Sequence, residues 1–262
     1  MARYDSAFFR SETFYAMTSA AEIVPHVMEL VSPTSVVDLG CGSGGWLAVF
    51  GKHGVEDIQG YDGDWVDPDL LQIDRSHFEG RDLRKGIKPN RAYDLAVCLE
   101  TGEHLPEESA EILVGSLTSL APVVLFSAAI PGQGGTGHSN EQWQSWWAGR
   151  FAQRGYVPVD CLRHRIWNNP KVCHWYCQNL LIYVDRRRLA AMPALAAEWE
   201  RSKLNMLDLV HPRMFILAET SFPRLVKRAL TAFPRAFEAS AGEAPTEWGA
   251  AKAEPVPVSQ PG

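Results

Sequence analysis

The chain predicts a single α/β domain built on an open, mostly parallel sheet with helices on both faces, and three observations lead there. Between residues 34 and 185, short β-rich runs alternate with amphipathic stretches, the order expected when each strand is followed by a crossover helix. The first of these runs, Ser35-Val-Val-Asp-Leu, passes directly into a cluster of glycines at Gly40, Gly42, Gly44 and Gly45. The length of 262 residues, 46% of them hydrophobic, is enough for one sizeable core, so one domain with appendages fits better than two.

Taken in order, residues 1–32 form an N-terminal helical cover, because Ala21, Val24, Val27, Met28 and Val31 recur at helical spacing until Pro33 stops the pattern. The core spans residues 33–185. It begins with the Ser35 strand, a helix over 45–53, a strand over 57–62 and a further helix. Strands follow over 93–99, 122–130, 157–165 and 179–184, with helices over 107–120 and 141–154. Residues 186–239 form a C-terminal helical extension: Arg186, Arg187 and Arg188, then a helix to about residue 209 and another over 222–232. Residues 240–262, with Pro245, Pro255, Pro257 and Pro261 among Ala, Glu and Gly, carry too little apolar surface to offset the entropy of ordering, and a disordered tail is expected.

Charge and cysteine usage narrow the function. A net charge of -6 and a pI near 5.8 provide no basic field to draw in nucleic acid or anionic lipid. Arg3, Asp5, Arg10 and Glu12 interrupt the apolar stretch a signal peptide needs, and the longest apolar run, residues 120–131, is too short to span a membrane. Five cysteines, an odd number scattered along the chain, favour free thiols and a cytoplasmic setting.

The glycine cluster admits two ligand classes. A strand that runs into Gly40, Gly42 and Gly44 can turn tightly and bring bare N–H groups against a nucleotide-like ligand, with a helix N-terminus behind them. Gly40, Gly42 and Gly45 also satisfy G-x-G-x-x-G, so a dinucleotide is one reading. Asp38 weighs against it, because a carboxylate at the loop mouth repels a pyrophosphate and attracts an ammonium group. Asp62, ending the next strand, suits bidentate contact with two ribose hydroxyls and is common to both readings.

The series DLGCGSG, Tyr61-Asp62-Gly63-Asp64, Arg81-Asp82-Leu83 and Tyr93-Asp94-Leu95-Ala-Val-Cys-Leu-Glu100 resembles the ordered motifs of class I S-adenosylmethionine-dependent methyltransferases over about residues 33–185. That resemblance implies a Rossmann-like, seven-stranded, mostly parallel sheet whose last strand is antiparallel. It implies S-adenosyl-L-methionine as cofactor, with Gly40, Gly42 and Gly44 along the methionine part and Asp38 near its amino group. Asp62, with Gly63 beside it, would hold the ribose. Asp82 would take the adenine amino group, Leu83 the adenine face, and Glu100 would close the site beside the methyl. Asp82 also suits a plain helix N-cap.

The acceptor end is expected where the fourth strand ends. Glu103 and His104 follow Glu100 there, and His104 has the pKa range of a general base near neutrality. A second cluster, Gly132 to Trp143, is a glycine-rich arm ending in His138, Asn140, Glu141, Gln142 and Trp143, which suits a mobile specificity loop. Its His-x-Asn-Glu-Gln-Trp segment resembles that of a bacterial subgroup of the same family. Ser139 or Asn140 capping a helix is the plainer account. Trp167, among the aromatic and amide side chains of residues 164–178, suits a sugar ring or simple core packing. Cys173-His174 with Cys177 lacks zinc spacing, and no metal is expected. The leading expectation is O-methylation of a small polar acceptor such as a sugar or glycosylated natural product, with His104 or His138 as base. N-methylation of an amine, oriented by Glu103 and Glu141, and a non-catalytic cofactor-binding protein are the alternatives.

Overall fold

In a computed structural model of the chain, residues 6–89 and 91–214 are described, with side chains from Thr13 onward. The expected helix over 222–232 and the tail over 240–262 lie outside the described residues. Helix α1 (Ser6–Val31) leads into β1 (Ser35–Leu39), α2 (Gly45–Lys52), β2 (Asp57–Asp62), β3 (Phe78–Gly80) and β4 (Leu95–Leu99). Then come α3 (Ala110–Leu120), β5 (Val123–Ser127), α4 (Gln144–Gln153), β6 (Tyr156–Val159), α5 (Arg163–Ile166), α6 (His174–Asn179), β7 (Leu181–Asp185) and α7 (Pro193–Arg201).

The seven strands form one sheet in the order β3-β2-β1-β4-β5-β7-β6. Every pair is parallel except those of β7, which runs antiparallel to β5 and to β6. Strands β1, β4, β5 and β7 are buried along their whole length, as expected for strands covered on both faces. Alternate side chains divide between two cores. Val36, Leu95, Val97 and Leu125 pack with Ile23, Val24 and Val27 of α1 and Leu47 and Phe50 of α2. Val37, Ala96, Cys98 and Phe126 pack with Leu113 and Leu117 of α3 and Trp147 and Phe151 of α4.

The site follows from this order. β1 lies between β2 and β4, so connections leave it in opposite directions, and the loops after β1 and β4 splay apart at adjacent carboxyl ends. A crevice opens there.

Local chemistry changed several elements. After β2 no second α-helix forms: residues 63–77 contain only the 3-10 turns Pro68–Leu70 and Arg75–His77, capped by Asp67 and Asp74. Aspartates that bond the backbone two residues on compete with a helix, and Pro68 supplies no N–H. The chain then adds the short edge strand β3, which sequence periodicity does not reveal. The strand expected over 157–165 stops at Val159, because Arg163 turns inward. Its guanidinium binds both oxygens of Asp160 (2.9 and 2.6 Å) and the carbonyls of Gln178 (3.1 Å) and Leu207 (2.7 Å). The strand expected over 122–130 ends at Ser127, and a short helix that the sequence pattern does not show, α6, precedes β7. In place of one long helix after residue 188, α7 is flanked by 3-10 turns at Leu189–Ala191 and Leu204–Met206.

The five cysteines form no disulfide; four are buried and Cys173 is half-buried. Among the described residues no helix is long and apolar enough to cross a membrane. One hydroxyl ties β6 to the end of α3: Tyr156 donates to the carbonyls of Ala121 (2.7 Å) and Thr118 (2.9 Å). Tyr156→Phe leaves both carbonyls without this donor and should cost about 1 kcal/mol. Urea unfolding checks this as a lower midpoint at unchanged m-value.

Candidate active site

Beyond β1 the chain turns through Gly40, Gly42 and Gly44, with φ of 85°, 52° and 80°, conformations that side-chain-bearing residues rarely adopt. A Cβ at Gly40 would run into the Thr101 side chain, whereas one at Gly42 would meet only open space. Gly40 therefore lets the two loops pack together, and Gly42 leaves bare backbone facing the crevice. Asp62 holds this loop: one carboxylate oxygen accepts the Gly42 N–H (2.7 Å), the other the Gly63 N–H (2.6 Å). The Trp65 ring covers Gly63.

Beside the loop lies a cavity of about 160 Å³ lined by Thr13, Asp38, Gly42, Ser43, Glu100 and Tyr176 among others. Thr13 reaches it from α1, its hydroxyl 2.7 Å from that of Ser43. Asp38 is 2% exposed, and its Oδ1 has no hydrogen-bond partner. Burial pushes its carboxyl well above the usual range, and the charge of Asp62 adds to the effect. Burial raises Asp62 and Glu100 as well. Three carboxyl groups held out of water around one crevice favour a cationic ligand.

Glu100, just past β4, has φ of 48°, the left-handed region uncommon for a residue with a side chain. Its N–H donates to the carbonyl (3.0 Å) and hydroxyl (3.2 Å) of Ser127, and its carboxylate accepts from Gln133 Nε2 (2.8 Å) and Asn179 Nδ2 (3.1 Å). Gln178 Nε2 donates to Gln133 Oε1 (3.2 Å), joining the group. Sequence reasoning missed Gln133, Gln178 and Asn179. The one available signal was an amide, Gln133, between two glycines of the flexible arm.

Glu103, His104 and His138 come together from two loops. Residues 102–104 make a 3-10 turn after β4, and the Glu103 carbonyl accepts the N–H groups of Ser139 (2.8 Å) and Asn140 (3.1 Å), pinning the glycine arm against it. The His104 and His138 rings meet edge to face with centroids 4.8 Å apart. Glu103 is fully buried, and neither carboxylate oxygen completes a hydrogen bond; burial, then the charge of Glu100, pushes its carboxyl well above the usual range. His104 is exposed, yet desolvation, followed by repulsion from His138, lowers its pKa to about 4. It is a neutral imidazole near pH 7.

Glu141 organises the arm. Its carboxylate accepts the N–H groups of Gly132 (2.7 Å) and Gly134 (2.7 Å), and one oxygen lies 3.0 Å from Nδ1 of His138. The capping account of Ser139, Asn140 and Glu141 does not hold: α4 starts only at Gln144, and Ser145 binds Asp208 through its N–H (2.8 Å) and hydroxyl (2.7 Å). Glu141→Gln should loosen the arm and raise KM about tenfold with a smaller change in kcat, the mark of a positioning residue in steady-state kinetics.

The other expected residues are spread more widely. Asn140 is buried, accepts from Gln142 Nε2 (3.0 Å), and leaves its own Nδ2 unpartnered. Trp143 is 39% exposed at the start of α4. Trp167 belongs to another group, its ring packed on His211 at 4.7 Å between centroids. Asp82 caps the turn Leu83–Lys85 and pairs with the Arg84 guanidinium, while Leu83 is buried in the core shared with α3.

A methyltransferase domain family matches residues 11–167, more than half of the chain. The chain belongs to this family. It is a class I S-adenosylmethionine-dependent methyltransferase, and its sheet order, with β7 antiparallel, is the Rossmann-like architecture of that class. No curated protein matches the sequence. Similar solved structures include the methyltransferase domain of bacterial CtHen1 (21% identity, 64% of this chain and 97% of that one, TM-score 0.45). DesVI of Streptomyces venezuelae is similar at 15% identity over 68% of this chain and 95% of that one, TM-score 0.49. Magnesium protoporphyrin IX methyltransferase of Synechocystis PCC 6803, with bound SAH, is similar at 16% identity over 70% and 89%, TM-score 0.47. The methyltransferase uses S-adenosylmethionine. Its crevice fits that cofactor: the unpartnered, buried Asp38 oxygen suits an ammonium group, and the open backbone at Gly42 admits a close-lying chain.

Proposed function

We propose that this methyltransferase methylates a hydroxyl oxygen of a small polar acceptor, such as a sugar or glycosylated natural product. The observation that supports this reading best is the Glu103, His104 and His138 cluster beside Glu100, which brings two imidazoles together at the acceptor end; His104, its pKa lowered to about 4 in place of the expected near-neutral range, is neutral but a weaker acceptor than an ordinary histidine. An alcohol has to shed a proton as it attacks, whereas a neutral amine needs only orientation. An uncharged imidazole at this place supplies the proton acceptor.

The bound cofactor supplies an electrophilic methyl on a sulfonium, already a good leaving group. The chain holds and aligns it. Asp38 receives the ammonium group, Gly40, Gly42 and Gly44 line the methionine part, and Asp62 with Gly63 takes the ribose. Leu83 and Asp82 border the adenine, and Glu100 closes the site with Gln133 and Asn179 fixing its carboxylate. On the acceptor side, His104 or His138 would take the proton of the acceptor hydroxyl, readying its oxygen for the methyl that the cofactor would supply. Asn140, Gln142 and Trp143 on the arm contact the acceptor. The negative net charge supports a small acceptor over nucleic acid, and cysteines without disulfides suit a cytoplasmic setting.

The test is incubation of the purified chain with cofactor and a panel of sugars, glycosides and amines. Mass spectrometry should find products heavier by one methyl, and proton NMR should place that methyl on oxygen. An N-methyl product alone would overturn the reading.

A further inference from the structure

We propose that Glu103, His104 and His138 form a binding site for one divalent first-row cation, of the Mn²⁺ or Zn²⁺ class, at the acceptor end of the crevice. Each residue offers one ligand atom, and these atoms all lie within 4.8 Å of one another. At metal–ligand bonds of about 2.1 Å, neighbouring ligands stand roughly 3–3.4 Å apart and opposite ones about 4.2 Å, so only a small closure of side chains is needed.

Three further features point to an ion. Glu103 is a fully buried carboxyl whose oxygens complete no hydrogen bond of good geometry, a costly arrangement that a proton or a cation relieves. Glu100, three residues before Glu103, lines the same crevice and adds negative charge there that a dication would offset. Both imidazoles have one anchored edge. His138 Nδ1 lies 3.0 Å from a Glu141 oxygen that is itself held by backbone N–H groups, and His104 bonds the Gly137 backbone. Holding one nitrogen of a ring in this way orients the other for ligation, as in carboxylate–histidine–metal arrangements. Two imidazoles with a carboxylate suit borderline first-row ions better than Mg²⁺ or Ca²⁺, and the exposed His104 gives entry from solvent.

The inference deepens the O-methylation reading, and its catalytic use rests on it. An acceptor hydroxyl in an open coordination position would have its pKa lowered, release its proton to water at the exposed His104, and attack the methyl carbon as the C–S pair leaves with sulfur. The cation is neither oxidised nor reduced. The histidines would then act as ligands in place of serving as the base.

The test titrates chelator-treated, full-length protein with Mn²⁺, following the signal of the free ion by electron paramagnetic resonance, and with Zn²⁺ by calorimetry. One ion per chain is expected, with affinity at least about tenfold lower in Glu103→Gln, His104→Ala and His138→Ala, and lower by about 10–100-fold in Glu141→Gln. Melting curves in chelator show whether each variant folds. Should the buried Glu103 variant fail to fold, the exposed His104 variant decides. Absence of saturable binding for both ions, or unchanged affinity in His104→Ala, overturns the site. Binding is read without cofactor or acceptor, so an intact ion site alongside an N-methyl product would overturn the O-methyl reading alone. Methyl transfer that persists undiminished in chelator would overturn the ion's part in catalysis.

Discussion

His104→Ala is expected to lower turnover by about 10²–10⁴-fold with the true acceptor while leaving S-adenosylmethionine affinity nearly unchanged. The ring sits on the turn directly after β4, fixed to the Gly137 backbone, whereas the cofactor crevice is lined from β1, α1 and Glu100. Removing it takes away the neutral imidazole, or a ligand to the ion that replaces it, without touching Asp38 or Asp62. His138→Ala should cost a similar factor, with a larger share in KM, because His138 rides on the glycine arm and its loss releases one contact of Glu141. Single-turnover and steady-state rates together would separate these contributions. Near-normal turnover in both variants would remove proton transfer at this cluster and shift the weight to N-methylation.

Asp38→Asn is expected to move affinity and stability in opposite directions. Loss of a charge-assisted hydrogen bond of about 1.5–3 kcal/mol should weaken cofactor binding by roughly 10–100-fold, read by calorimetry. The cofactor-free protein should become more stable, because the wild-type residue buries a carboxyl with an unpartnered oxygen. The sign follows from its pKa. The folded carboxyl keeps its proton to a higher pH than the unfolded one, so stability declines as pH rises from the ordinary carboxylate range, near 3.9, towards the raised folded value. In the Asp38→Asn variant that decline should be shallower, with Asp62, Glu100 and Glu103 still contributing the same sign. Equal slopes of melting temperature against pH for the two proteins would contradict the burial argument.

What the amino-acid order determines by itself is everything carried by short-range pattern. Continuous apolar runs at β1, β4, β5 and β7 require a sheet covered on both faces, and the helical spacing before Pro33 makes α1. Glycines at Gly40, Gly42 and Gly44 require the left-handed turn, and Asp38 and Asp62 stand at the ends of strands whose order is predictable. Periodicity and turn chemistry act over a few residues, so a single chain displays them.

Other features arise only when distant segments meet. Helix α4 begins late because Asp208 reaches Ser145 from more than sixty residues away. Gln133, Gln178 and Asn179 become site residues only because β7 lies antiparallel beside β5, which carries α6 back to the end of β4. Glu103 looks like one half of an ordinary Glu-His pair in the sequence. Folding buries it without a partner beside Glu100 and brings His138 across from an arm more than thirty residues away. Burial and charge proximity depend on the whole packed structure, and no local pattern records them. The tertiary fold alone therefore decided that this end of the crevice gathers ligand atoms for a cation.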